Sequence, residues 1–185
     1  KQKQCLHVRG VSRFKQTQVV LDTWLKNTDF PLIHIVTDAP IHIPDMIKVR
    51  HNIILHQRKL SEQEISELMN ICELHVCPSL CEGYGHYINE GRSVGGIVMT
   101  TNAAPMNELI SEEEGILIDY SETLRMNGTN GYVVTEEMIE KGMSKYMSLT
   151  NNERTTMSKK AREKFLSERI YLETALEKIL MNQSS

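Results

Sequence analysis

Short apolar runs rich in Ile and Val alternate along this chain with stretches whose apolar residues recur every three or four positions. The runs are Cys5–Val8, Leu32–Val36, Ile53–His56, Leu74–Cys77, Ile97–Thr100 and Gly115–Ile118. They read as strands apolar on both faces, the pattern of a parallel sheet covered by helices. Between them lie helical patterns. Gln16–Leu25 places Val19, Val20, Thr23 and Trp24 on one face, and Glu62–Asn70 follows Ser61. The Ser61-to-Glu64 spacing is that of a capping box. Tyr87–Val94 and Met106–Ile110 are shorter helical stretches, and from Glu136 to Leu180 the periodicity continues into a long charged amphipathic segment. Asp119–Gly131, with Asn127-Gly128 and Asn130-Gly131, predicts an irregular excursion with tight turns. Alternating strands and helices, joined by right-handed crossovers, predict an α/β protein: a doubly wound, Rossmann-like parallel sheet with helices on both faces and further helices at the C-terminus.

Composition narrows the function. The chain has 185 residues, 40% of them hydrophobic, a net charge of −3 and only 5% aromatics. That suits one domain over 1–185, although length alone does not exclude two small ones, and recommends neither a nucleic-acid groove nor a basic membrane face. No apolar run approaches membrane-helix length. The opening KQKQC has no initiator Met and no apolar signal region, so no targeting segment is expected, and the chain reads as a processed or excised piece. The cysteines Cys5, Cys72, Cys77 and Cys81 lack the paired spacing of a zinc site; they read as free, mostly buried thiols, and no metal is expected.

The candidate chemistry lies in CEGYGHYINEGRSVGG, Cys81 to Gly96. Pro78–Gly85 connects the strand Leu74–Cys77 to a helix beginning near His86, and ligands of doubly wound sheets sit in such strand-to-helix loops. Gly83 and Gly85 let a backbone approach a ligand closely, and the helix end behind them offers unpaired N–H groups to phosphate. Glu90, about one turn into that helix, can take two sugar hydroxyls on one carboxylate, while Glu82 stands in the loop before it. The outline is a nucleotide-sugar site. Two glutamates eight apart also occur as a solvated pair. A Rossmann phosphate fingerprint fails because Ile88 holds the third glycine position and the turn follows the fourth strand; no P-loop motif is present.

The run Pro78 to Ile110, PSLCEGYGHYINEGRSVGGIVMTTNAAPMNELI, resembles the donor-binding half of retaining glycosyltransferases of family 4, enzymes of the GT-B fold. The shared points are Pro78-Ser79, Glu82-Gly83-Tyr84-Gly85, Glu90, Gly95 and the strand Ile97–Thr100. Upstream, HVRGVSRFKQTQVVLDTWL looks like that family's first strand, glycine turn at Gly10 and basic residue before a helix. The run beginning NIILHQRKL looks like its base-contacting loop, Gln57–Leu60. Departures include Gln16, where the family more often has Gly or Asn; His86 in place of an aliphatic residue; and Gly91 where Ala is common, at ~1 kcal/mol in a helix interior.

The resemblance implies a nucleoside-diphosphate sugar donor, UDP- or GDP-linked, and transfer with retention. Lys15, with Arg13, would grip the diphosphate beside the amides of Tyr84–Tyr87; Glu82 would sit at the donor sugar and Glu90 at the ribose. Gly10, Gly83, Tyr84, Gly85, His86 and Tyr87 would line the donor, and Arg58 would lie by the base. His86 would either donate to phosphate or pack. No Asp-x-Asp pair is present, in keeping with a site that needs no cofactor and no metal. An N-terminal domain outside this chain would hold a glycan, lipid or protein acceptor, and any membrane contact would run through that half. The expected compartment is the cytoplasm. The alternatives are a non-catalytic nucleotide-sugar binding module and a nucleotide-sugar epimerase of related fold.

Overall fold

The computed structural model describes residues 1–126 and 128–182. Its centre is a six-stranded, all-parallel sheet of β1 (Gln2–Gly10), β2 (Ile33–Thr37), β3 (Ile53–His56), β4 (Cys72–Cys77), β5 (Ile97–Thr101) and β6 (Gly115–Ile118), in the order β3-β2-β1-β4-β5-β6. This is the strand order of the doubly wound dinucleotide-binding fold. The sheet therefore turns outward in both directions from the β1/β4 pair.

Both faces of the sheet are covered, which is why the strands read as continuous apolar runs. On one face Cys5, Ile33, Ile35, Leu74, Val76, Ile97 and Met99 pack with Val20, Leu21 and Trp24 of α1 (Thr17–Lys26) and with Ile139, Met143 and Tyr146 of α5 (Glu136–Ser148). On the other, Leu6, Val36 and Val98 pack with Met69 of α2 (Glu62–Ile71), Tyr87 and Ile88 of α3 (His86–Ser93), and Met106 of the single-turn α4 (Met106–Leu109). The capping box on α2 forms: Ser61 Oγ accepts from Glu64 N, and the Glu64 carboxylate accepts from Ser61 N.

Four expectations are corrected. Strand β1 begins at Gln2 instead of Cys5, because Gln2 still registers with Cys72 at the start of β4. Helix α1 begins at Thr17; Gln16, expected inside it, has φ +50 and stands before it. The stretch read as an irregular excursion is largely an antiparallel hairpin, β7 (Glu122–Met126) with β8 (Thr129–Val133). Asn127 lies outside the described residues, Gly128 turns with φ +80, and Asn130-Gly131 lies within β8 rather than at a turn. The C-terminal segment is the single helix α6 (Asn151–Asn182), whose beginning buries Arg154, Met157 and Ala161, while Ile170, Tyr171, Leu176 and Ile179 are exposed. No described helix is long and apolar enough to cross a membrane.

Candidate active site

The two loops that leave the C-terminal ends of β1 and β4 meet where the sheet changes direction, the place where doubly wound sheets bind ligands. The first runs through a 3₁₀ turn, Arg13–Lys15, capped by Ser12 Oγ accepting from Phe14 N at 3.3 Å. The second is Pro78–Gly85. A backbone hydrogen bond from Leu80 N to Phe14 O, 2.7 Å, joins them.

Across this joint Lys15 and Glu82, distant in sequence, form an ion pair with side chains only 16% and 10% exposed. Ser79 is fully buried, and its Oγ donates 2.6 Å to the same Glu82 oxygen that Lys15 reaches. Thr101 at the end of β5 steadies this turn, its hydroxyl donating 2.8 Å to Ser79 O. An ammonium has three N–H donors, so Lys15 can hold Glu82 and still offer N–H to an incoming anion.

Behind the pair, Gly85 opens α3 with φ +71, a conformation only glycine adopts freely; a Cβ there would also stand 2.4 Å from Leu109 Cδ1. Gly83 is required by neither backbone nor neighbours, since nothing lies within 4 Å of a Cβ built on it. That leaves open space in front of the helix. Among the described residues no side chain caps α3, and its first turn carries no acidic residue, so its leading N–H groups and positive dipole end remain for an anion.

Glu90 is exposed on the second turn of α3. Neighbouring protein desolvates its carboxylate enough to raise its pKa, while His86 and Lys15 are near enough to pull it back down. His86 is exposed, its ring set against that of exposed Tyr84 with centroids 4.9 Å apart, so it does not pack into the core. Tyr87 does: its hydroxyl donates 2.8 Å to Leu6 O, which leaves its amide, not its ring, for a ligand.

Gly10 ends β1 with φ +56 and open space at its Cβ position. Arg13 is exposed, its guanidinium 5.6 Å from the Phe14 ring centroid. Arg58, expected by the base, pairs with Glu64 at 2.5 Å and helps hold that carboxyl at about 2 together with Ser61. Sequence reasoning passed over the roles of Ser79, Thr101 and Gln16. The departure at Gln16 was the visible signal, because a position that commonly holds Gly or Asn is one that suits positive φ.

The four cysteines are free, with Cys5, Cys72 and Cys77 buried; burial raises the Cys72 thiol to about 11. The three buried thiols are packing groups.

Comparison with known proteins agrees with this fold. A search of curated proteins finds no significant match. Among solved structures, Anabaena HepE in complex with UDP and glucose superposes with a TM-score of 0.70 at 16% identity, over 97% of this chain and 48% of that one. The C-terminal domain of the group 1 glycosyl transferase LpcC from Francisella tularensis gives 0.65 at 17% identity, over 91% of this chain and 86% of that domain. Sucrose-phosphate synthase from Thermosynechococcus elongatus gives 0.70 at 13% identity, over 99% and 46%. At these identities the likeness is one of fold, and the chain spans about half the length of HepE and of the synthase. The profile of one sequence family, glycosyl transferases group 1, matches residues 46–164, which takes in both candidate glutamates and the glycine turn. By that match over most of its length, the chain belongs to the glycosyl transferases group 1 family.

Proposed function

We propose that this chain is the donor-binding half of a retaining family 4 glycosyltransferase. It binds a UDP- or GDP-sugar without a metal ion, and the acceptor, a glycan, lipid or protein, is held by a second domain beyond this chain. The observation that carries the reading is the Lys15–Glu82 pair, set at the sheet's switch point in front of an uncapped helix end. The diphosphate occupies the space before Gly83 and the α3 amides, with Lys15 as its point charge. As the bond to the sugar breaks, negative charge grows on the diphosphate, and a preorganised ammonium and helix end stabilise it there. Glu82 faces the donor sugar, Glu90 takes the ribose hydroxyls, and the Gln57–Leu60 loop lies by the base. The HepE structures, which contain UDP, UDP-glucose or UDP with glucose, support a nucleotide-sugar ligand for this fold. The cytoplasm, where such donors are consumed, is the proposed compartment.

Calorimetric titration with UDP, GDP, ADP and their sugars, with and without magnesium, tests the reading. One diphosphate should bind regardless of magnesium. Glu90→Ala should weaken that nucleotide by about tenfold or more, the worth of one charged hydrogen bond. Lys15→Ala should weaken the diphosphate more than the nucleoside. Failure of a folded chain to bind any of them, or identical binding by Glu90→Ala and wild type, would count against it.

A further inference from the structure

Gln16 is the one described non-glycine residue with positive φ. It sits directly after Lys15, and its side chain spans three segments of the fold. Its Nε2 donates 2.7 Å to Pro78 O, at the start of the Glu82 loop, and 3.1 Å to Tyr132 O in β8. Its Oε1 accepts from Val134 N at 3.0 Å, just past β8. Carbonyls can only accept and an amide N–H can only donate, so all three partners fix one orientation of the Gln16 amide. Two backbone bonds close the same joint: Leu80 N to Phe14 O and Tyr132 N to Leu80 O, both 2.7 Å. The hairpin is seated by Leu80, whose Cγ lies 3.0 Å from where a Cβ on Gly131 would be.

We propose that Gln16 is a positioning residue for the donor site. Its carboxamide locks the loop carrying Lys15 to the loop carrying Glu82 and ties both to the β7–β8 hairpin. The lock fixes the distance between the ammonium and the helix end that share the diphosphate. Gly or Asn would satisfy the left-handed backbone here; neither reaches three partners. A glutamine accepts the unfavourable φ because its longer amide meets both a donor and two acceptors. This inference rests on the donor-site reading above.

The test uses Gln16→Gly, which relieves the positive φ while removing the lock, so the chain should still fold. A second variant, Gln16→Glu, keeps length and the acceptor for Val134 N but sets a carboxylate oxygen against two carbonyls. Amide hydrogen exchange is followed at Leu80 and Tyr132, and UDP, GDP and the matching nucleosides are titrated. Both variants should speed exchange at the two amides. They should also weaken the bound diphosphate by about tenfold while leaving the nucleoside unchanged, since only the phosphate contacts lose their register. Unchanged exchange would overturn the lock. Equal weakening of diphosphate and nucleoside would overturn the positioning role in favour of general structural support. If wild type binds none of the probes, the donor-site reading fails instead, and exchange alone then decides whether Gln16 joins the loops.

Discussion

Acidification from pH 7.5 to 5.0 should destabilise this domain by about 4 kcal/mol, because two fully buried histidines are held neutral. His7 on β1 is enclosed by Val76 O, 2.7 Å from Nδ1, and by Thr17 Oγ1, 2.8 Å from Nε2. A carbonyl can only accept, so Nδ1 carries the proton and Nε2 accepts from the threonine hydroxyl. Burial lowers His7 from 6.5 to about 4, with Lys15 and Arg9 pushing the same way. His75 on β4 lies under α3, and neither ring nitrogen has a hydrogen-bond partner among the described residues. Burial, reinforced by Lys1, takes it to about 3. Between these values and 6.5 the unfolded chain binds more protons than the folded one, so stability is full above pH 6.5 and falls as pH drops towards 4. At pH 5.0 each histidine forfeits about 2 kcal/mol, against about a tenth of a kcal/mol or less at pH 7.5. His34 and His56, also lowered by burial, act in the same direction, while Glu90 acts weakly against them. Urea unfolding followed by circular dichroism should show the midpoint falling by roughly 1.5–2 M between the two pH values. His75→Leu should remove about half of that difference and His7 should account for most of the rest. A midpoint that does not move, or a His75→Leu variant with the full wild-type pH dependence, would refute the claim that these rings are kept neutral by burial. The site shares in the outcome, because His7 braces Thr17, the residue after Gln16, against β4.

Two further outcomes test the site and its support. Glu82→Gln keeps an oxygen for Ser79 and Lys15 but removes the charge; nucleotide affinity should hold or rise slightly, while transfer by the full-length enzyme should fall by about a hundredfold. A collapse of binding with transfer per bound donor unchanged would reverse that assignment. Gly91→Ala should destabilise the domain by about 1–2 kcal/mol although alanine favours a helix, since its Cβ would stand 2.9 Å from Val98 Cγ2 and 3.3 Å from the His75 ring; a thermal midpoint above wild type would show that the ring yields.

The parts of this fold that were legible in the sequence are those whose local and tertiary demands coincide. A strand between two helical layers must be largely apolar on both faces, so Ile97–Thr100 and Leu74–Cys77 were legible as strands, although β4 starts two residues earlier, at Cys72. The Ser61–Glu64 capping box is equally local. Gly85 and Glu82 were legible because the motif as a whole states a backbone need and a charge need together. The hairpin was not legible, because ETLRM is polar and largely exposed, and Asn130-Gly131 imitates a turn signal. Gly131 has a different reason to be glycine: a Cβ there would press on Met126 and Leu80. Gly91 likewise looked like a costly departure until the structure placed His75 in the room that an alanine methyl would take. The ring also fills the space above Gly96, 2.5 Å from a Cβ there, so one buried histidine crowds two glycines, one in α3 and one directly before β5. Gln16 belongs with these. Its three partners lie 62, 116 and 118 positions away, and no periodicity links residues so far apart. Apart from the polar hairpin, what the sequence hid is of one kind: a residue whose identity is set by atoms of other segments, seen beforehand only as an exception to an expected pattern. In this chain such exceptions collect around the β1/β4 joint and the helix above it, where the candidate chemistry also lies.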